Sequence, residues 1–259
     1  MFLKNYLPVL TFHALDERQS VISFQPYLFK LLLSRLNDNG YRAIDLSQVV
    51  HYLKGASLFP DRSFAITFDD GYETVYHEAF PILQQYGMSA TVFLTVGESL
   101  PTKLADRLPD LEGRRMLSWD QINEMQRWGI NLGAHTLTHP DLTSLPLDRT
   151  YAEIFESKCI IEKTLSCSVD CFAYPFGKID DKSYELVQKL FACAFSDKLG
   201  LVTNRSLLHA LERVDMYYFR SERFLDLMFT SLFPLYLKAR NIPRKIKGLL
   251  KINSSESYF

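Results

Sequence analysis

The sequence predicts an α/β barrel, and three observations predict it. Short runs rich in β-branched and aromatic residues recur along the chain: PVLTF, YRAIDL, SFAITF, ATVFLTV, INLGAH, CFAYP, ACAFS and RVDMYYF. Stretches with a helical apolar period lie between most of them. The 259 residues, 47% of them apolar, suffice for one large core and lie within the size that α/β barrels fill as a single domain. Strands that alternate with helices run parallel and are joined by right-handed crossovers. The expectation is therefore a distorted, incomplete (β/α) barrel of about seven parallel strands in residues 1–223, followed by an apolar helix and a basic tail in 224–259.

The eight runs are the strand candidates, and the segments between them carry their own punctuation. Tyr151, Ile154, Phe155, Ile161 and Leu165 fall on one stripe of a helix over 147–165. Ser118 with Gln121 reads as a capping box that opens a second helix, and Gly129 ends it. Pro81 interrupts the helical pattern over 73–86, so that segment is kinked there or begins near it, and Gly87 caps its end. Residues 97–117 have mixed charge, two prolines and no clear period, and they read as a loop at the barrel mouth.

Composition excludes some function classes. The 29 basic and 30 acidic residues nearly cancel, so no global field recommends a nucleic acid partner. Cys159, Cys167, Cys171 and Cys193 lack the paired spacing of a structural zinc site and read as mostly buried thiols. The opening MFLKNYLPVLTFHAL lacks the unbroken apolar run and small-residue cleavage site of a secretory signal, so the expected location is the cytoplasm. Residues 225–237 are apolar but contain Asp226 and Pro234, and they fall short of the ~20 residues that cross a bilayer.

Chemistry concentrates in two places. SFAITF runs straight into Asp69, Asp70 and Gly71, which puts two adjacent carboxylates at the carboxyl end of a strand, the end where α/β barrels build their sites. Adjacent acids repel, and a divalent metal bound by one compensates while the other stays free as a base. A helix N-cap or an acidic turn would use the same residues. The second place is GAHTLTHPDL, where His135 and His139, four apart, are expected on one side of a helical turn. Two imidazoles and one carboxylate form a facial ligand set that leaves positions open for water and substrate. No Glu stands between the histidines, so this is not the zincin motif.

These residues resemble the motifs of the polysaccharide deacetylases, the family-four carbohydrate esterases, over roughly residues 7–220. Thr67 to Gly71 matches TFDDG, and His135 to His139 matches an H-S/T-x-x-H box. The resemblance implies Asp69 as catalytic base, with Asp70, His135 and His139 holding a divalent metal, zinc foremost. The third motif, R-x-P-Y-G, is met by Ala173, Tyr174, Pro175, Phe176 and Gly177, so its Arg is missing. That Arg steadies the base in the family, and Arg213 is the candidate replacement. The Phe176 backbone N–H remains available as an oxyanion donor, a role that needs no side chain.

The family's late acid histidine is also absent, since no His follows His209. VLTFHAL resembles the P-V-L-x-Y-H opening of the deacetylases of extracellular poly-N-acetylglucosamine, which take the acid from the N-terminal strand. His13 is therefore the candidate acid and His209 a weaker rival, with Asp215 able to orient either. Tyr72, Tyr174 and Phe176 are candidates for substrate contact, Tyr72 foremost, while Trp119 reads as core.

The implied activity is removal of an N-acetyl group from an N-acetylhexosamine in a polysaccharide, an oligosaccharide or a lipid-linked precursor, as in bacterial exopolysaccharide synthesis. An amidohydrolase of small amides and a saccharide binder without turnover are the alternatives. Lys238, Arg240, Arg244, Lys245, Lys247 and Lys251, after an apolar stretch, have the composition of an interfacial membrane segment. Peripheral contact with the inner face of the cytoplasmic membrane is the expectation drawn from them.

Overall fold

A computed structural model describes residues 6–55, 58–102 and 106–241. The strands are β1 (Val9–Phe12), β2 (Ala14–Leu15), β3 (Ser23–Phe24), β4 (Arg42–Ala43), β5 (Ser63–Phe68), β6 (Thr91–Leu94), β7 (Asn131–Ala134), β8 (Cys171–Ala173), β9 (Cys193–Leu199) and β10 (Leu211–Asp215). Seven of them close a parallel barrel in the order β1-β5-β6-β7-β8-β9-β10, and β10 pairs back onto β1. β4 pairs with the start of β5. All eight candidate runs are thus strands. The barrel that the sequence suggests as incomplete is closed, because Val9 to Phe12 runs in register with Ala65 to Phe68.

The strands are short and apolar on both faces, as parallel strands covered on both sides must be. All six residues of β5 are buried. Alternation divides them into two cores. Val9, Ala65, Phe93, Ala173, Phe195 and Leu211 cluster together with Leu46 and Val49 of α2 (Leu46–Lys54). Leu10, Phe12, Ile66, Phe68, Val92 and Leu94 instead pack outward, against helices that include α1 (Pro26–Asp38), where Leu28, Phe29, Leu32 and Leu33 form the buried face. The N-cap of α2, Asp45, accepts a 2.9 Å hydrogen bond from Asn131 at the start of β7. This helix therefore plugs the amino-terminal end of the barrel, and the carboxyl ends of the strands remain for a site.

The helix signals act where expected. A π-helical turn over Val75–Ala79 leads into α3 (Phe80–Tyr86), so Pro81 lies in the first turn, and Gly87 ends the helix at φ 60°. Ser118 accepts from the Gln121 N–H to open α4 (Trp119–Trp128), and Gly129 closes it at φ 114°. The helix α5 (Leu147–Leu165) has the predicted bounds, but its face is rotated. Thr150, Glu153, Ile154, Ser157, Ile160 and Ile161 are buried, whereas Tyr151 and Phe155 stack on each other on the outer side, ring centroids 5.1 Å apart. The hydrophobic pattern misplaced the stripe because the true inward face carries polar residues. Finally, α6 (Asp181–Leu190) connects β8 to β9.

Described parts of the 97–117 segment form the predicted mouth loop. Its Leu117 N–H donates to Gly71 O at 2.9 Å, and Glu73 N–H donates to Arg115 O at 3.0 Å. After β10, α7 (Glu222–Leu227) and a helical stretch over 233–241 lay Leu225, Phe233 and Leu237 into the outer core. Residues 242–259, with most of the basic tail, lie outside the described residues. Among the described residues no helix is long and apolar enough to cross a membrane. Cys171 and Cys193 are buried on adjacent strands, with sulfurs 3.4 Å apart and no bridge.

Candidate active site

Asp69 and Asp70 leave β5 at the mouth. Asp69 extends the ladder, its N–H donating to Phe12 O at 3.0 Å. Consecutive strand residues point to opposite faces, so a regular strand would send Asp70 away from Asp69. Asp70 instead adopts φ 74° and Gly71 φ 92°, and this left-handed turn folds the second carboxylate back to the mouth. Gly71 also has no room for a side chain, since a Cβ there would lie 2.6 Å from Leu108 Cδ1.

His135 follows β7, its N–H donating to Leu94 O at 2.9 Å. Its Nδ1 lies 2.7 Å from Ala173 O. A carbonyl only accepts, so Nδ1 carries the proton and Nε2 presents its lone pair. The expected helical turn between the histidines is absent. Thr136 at φ 71° and His139 at φ 59° reverse the loop, and the rings meet with centroids 4.8 Å apart. His135 Nε2 and His139 Nε2 each stand 3.3 Å from Asp70 Oδ1.

The donors of Asp70, His135 and His139 lie within 4.8 Å of one another, and Asp70 Oδ1 is buried without a hydrogen-bond partner. A buried carboxylate oxygen without a donor is costly, and a cation between it and the two imidazoles removes that cost. The three residues therefore fit a divalent metal. Burial alone would raise the Asp70 carboxyl, but His135, His13 and His139 around it hold it well below the usual carboxylate range. Burial above all pushes His139 down to about 4, so its imidazole is neutral and able to bind a metal at neutral pH.

Asp69 is held differently. Arg213, inward on β10, donates Nη1 to Oδ1 and Nη2 to Oδ2, both at 2.7 Å. The guanidinium lies over the Phe93 and Phe195 rings and donates Nε to Ser196 O at 3.2 Å. Burial raises the Asp69 carboxyl, but Arg213, followed by His135 and His13, outweighs it and keeps the group below its ordinary value. His13 Nε2 stands 3.8 Å from Asp69 Oδ2 with its side chain 28% exposed, so it reaches the same mouth and also solvent.

Other candidates fall elsewhere. His209 is bonded through Nε2 to Phe191 O at 3.0 Å, beside the amino end of β9 and away from the site. Asp215 accepts the Tyr217 N–H and caps a short 3₁₀ turn. Tyr72 and Tyr174 are each 1% exposed, so neither offers a ring face to a sugar. Tyr72 lies in the outer core under the Arg114 guanidinium, and the Tyr174 hydroxyl donates to His209 O at 3.2 Å. Tyr174 follows the inward Ala173, so alternation along the strand sends its ring into the outer layer. Phe176 is an exposed aromatic at the mouth, 56% exposed at φ 56°, with its ring centroid 4.7 Å from that of His139. Trp119 is core.

Sequence reasoning missed Glu153. It is buried on α5 and accepts hydrogen bonds from Leu137 N–H, Thr138 N–H and the Thr138 hydroxyl, all in the loop between the two histidines. An acid one residue before Ile154, on the buried side of an amphipathic helix, was the available signal.

Barrels that gather carboxylates and imidazoles at one mouth are equipped for metal-assisted hydrolysis, and that is the class this fold and site define. The chain belongs to the polysaccharide deacetylase family, whose model its residues 57–192 match. The Bacillus subtilis (strain 168) protein YxkH, named for the same family, is 26% identical over 80% of this chain and 70% of its own length. The poly-beta-1,6-N-acetyl-D-glucosamine N-deacetylase of Escherichia coli (strain K12) is 28% identical over 69% of this chain, a match that spans only 31% of that larger protein. Among solved structures, the Streptococcus pyogenes deacetylase PplD, in complex with acetate, superposes with a TM-score of 0.73 at 25% identity, over 82% of this chain and 93% of that one.

Proposed function

We propose that this protein is a metal-dependent hydrolase that removes the N-acetyl group from an N-acetylhexosamine in a saccharide chain or a lipid-linked precursor. The observation that carries the proposal is Asp69 in the bidentate grip of Arg213, beside the Asp70, His135 and His139 triad and 3.8 Å from His13. The relatives named for poly-N-acetylglucosamine deacetylation support the substrate class.

Asp70, His135 and His139 would hold the cation, zinc foremost given two imidazoles and one carboxylate. Such an ion supplies a Lewis acid that polarises the acetyl carbonyl and acidifies water. Asp69, ionised and oriented by Arg213, accepts a proton from the attacking water as its oxygen bonds to the amide carbon. The Phe176 N–H stabilises the charge that develops on the carbonyl oxygen. His13 delivers a proton to the amide nitrogen as the C–N bond breaks, which releases acetate and the free amine. Arg213 reaches the carboxylate from β10, where the family motif would use the position of Ala173 on β8.

Localisation at the inner face of the cytoplasmic membrane is part of this reading. Leu232 and Leu235, exposed beside Lys238 and Arg240, support it. The test of function is acetate release from N-acetylglucosamine oligomers by wild type and Asp69→Asn, each loaded with zinc. Release by wild type and its loss in Asp69→Asn, with metal content equal, is the expected result. Metal bound without acetate release from any oligomer would overturn the proposal and favour a small amide or a saccharide binder.

A further inference from the structure

One buried carboxylate accepts three hydrogen bonds from the loop between the two histidines. Glu153 is 1% exposed, and its Oε2 accepts the Leu137 and Thr138 N–H groups at 2.9 Å each, while Oε1 accepts the Thr138 hydroxyl at 2.7 Å. From the segment that follows β6 the loop is fastened by Val96 N–H to Thr136 O at 3.3 Å and by Gly97 N–H to Leu137 O at 2.8 Å. Within the loop, Thr136 Oγ1 accepts the His139 N–H at 3.0 Å. Thr136 and His139 both hold left-handed backbone conformations, which non-glycine residues keep only when their surroundings over-determine them.

A carboxylate is a costly filler for a helix face that an apolar side chain could cover. Its three donors are what keep it there. The other charged group facing it is Arg149, 3.9 Å from Oε1 and half exposed. We propose that Glu153 is a positioning residue for the metal site: it latches the loop to α5 so that His139 Nε2 faces Asp70 Oδ1. This rests on the reading of Asp70, His135 and His139 as a cation site. Outer partners that orient metal ligands typically carry 10–100-fold in metal affinity.

The experiment uses the full chain and cobalt(II) as probe. Glu153→Gln retains the shape but removes the charge and offers one acceptor oxygen in place of two, and Thr138→Val removes only the 2.7 Å bond. We expect cobalt affinity to fall about 10–100-fold in Glu153→Gln and less in Thr138→Val, with an altered visible absorption band in both. Glu153→Asp should recover part of the affinity, and kcat of the zinc-loaded variants should fall more than KM rises. A Glu153→Gln protein that is folded and binds cobalt with wild-type affinity and spectrum overturns the latch, whatever its melting temperature. If Glu153→Gln does not fold, Thr138→Val with wild-type affinity and spectrum overturns it instead. The cation site itself is tested separately, by wild type against His139→Ala: equal cobalt affinity in these two removes the site, and the latch with it.

Discussion

Arg213→Met removes the guanidinium from Asp69 while retaining an apolar stem against Phe93 and Phe195. The two partners are 7% and 4% exposed, so solvent replaces little of what is lost. Breaking a buried ion pair by deleting one member costs about 3–5 kcal/mol. At about 2–4 °C per kcal/mol for a chain of this size, the metal-free protein should melt roughly 10 °C lower at neutral pH. Asp69 now lies below its ordinary value, so it contributes stability above the unfolded carboxyl pKa and loses it as pH falls through the folded one. Without Arg213 the burial that raises this carboxyl is opposed by less charge, and its folded value climbs. The destabilisation then shrinks on acidification, and the acidic limb of kcat/KM moves to higher pH. Adding Ala173→Arg, which puts the guanidinium where the family motif carries it, should return that limb toward wild type. Thermal melts and rate profiles across the acidic to neutral range check both effects. A variant with a wild-type acidic limb and a melting deficit independent of pH would refute the assignment of Arg213 to the base.

Further outcomes follow from the same geometry. His13→Gln should lower kcat by about 10²–10⁴-fold with little change in KM, as expected for loss of a proton donor, and steady-state acetate assays read this directly. Phe176→Ala should raise KM with little change in melting temperature, because a 56% exposed ring contributes little to the core; saturation curves with oligomers of increasing length test it. Tyr174→Phe, which removes the hydroxyl bonded to His209 O, should lower stability by about 1 kcal/mol and leave KM unchanged. A raised KM in that variant would return the residue to the substrate surface.

The fold was legible because each level of the sequence agreed with the next. Eight apolar runs became strands, and Ser118, Pro81, Gly87 and Gly129 acted locally, through capping or backbone restriction that needs no distant partner. The same locality let α5 be bounded correctly while its face was misread, since burial of Thr150, Glu153 and Ser157 depends on partners elsewhere in the chain. Asp69, Asp70, His135 and His139 were visible as two short motifs. Arg213 on the last barrel strand and His13 just after the first were named only through the family resemblance, and the docking of β10 and β5 on β1 is the physical reason that they meet at Asp69. The burial of Tyr72 and Tyr174 was hidden for a related reason: adjacency to a motif says nothing about which side of the wall a ring occupies. The helical turn assigned to the histidines failed because i and i+4 are also brought together by a left-handed reversal.

Closure between β1 and β10 has a consequence for how the chain acquires its chemistry. The guanidinium that grips Asp69 and the imidazole beside it lie some two hundred residues apart, one on the last barrel strand and the other just past the first, and they become neighbours only when the last strand docks on the first. A nascent chain that has formed every earlier βα unit still exposes Asp69 without its guanidinium. The site is therefore complete only once the barrel is, and stays silent until its final seam is stitched.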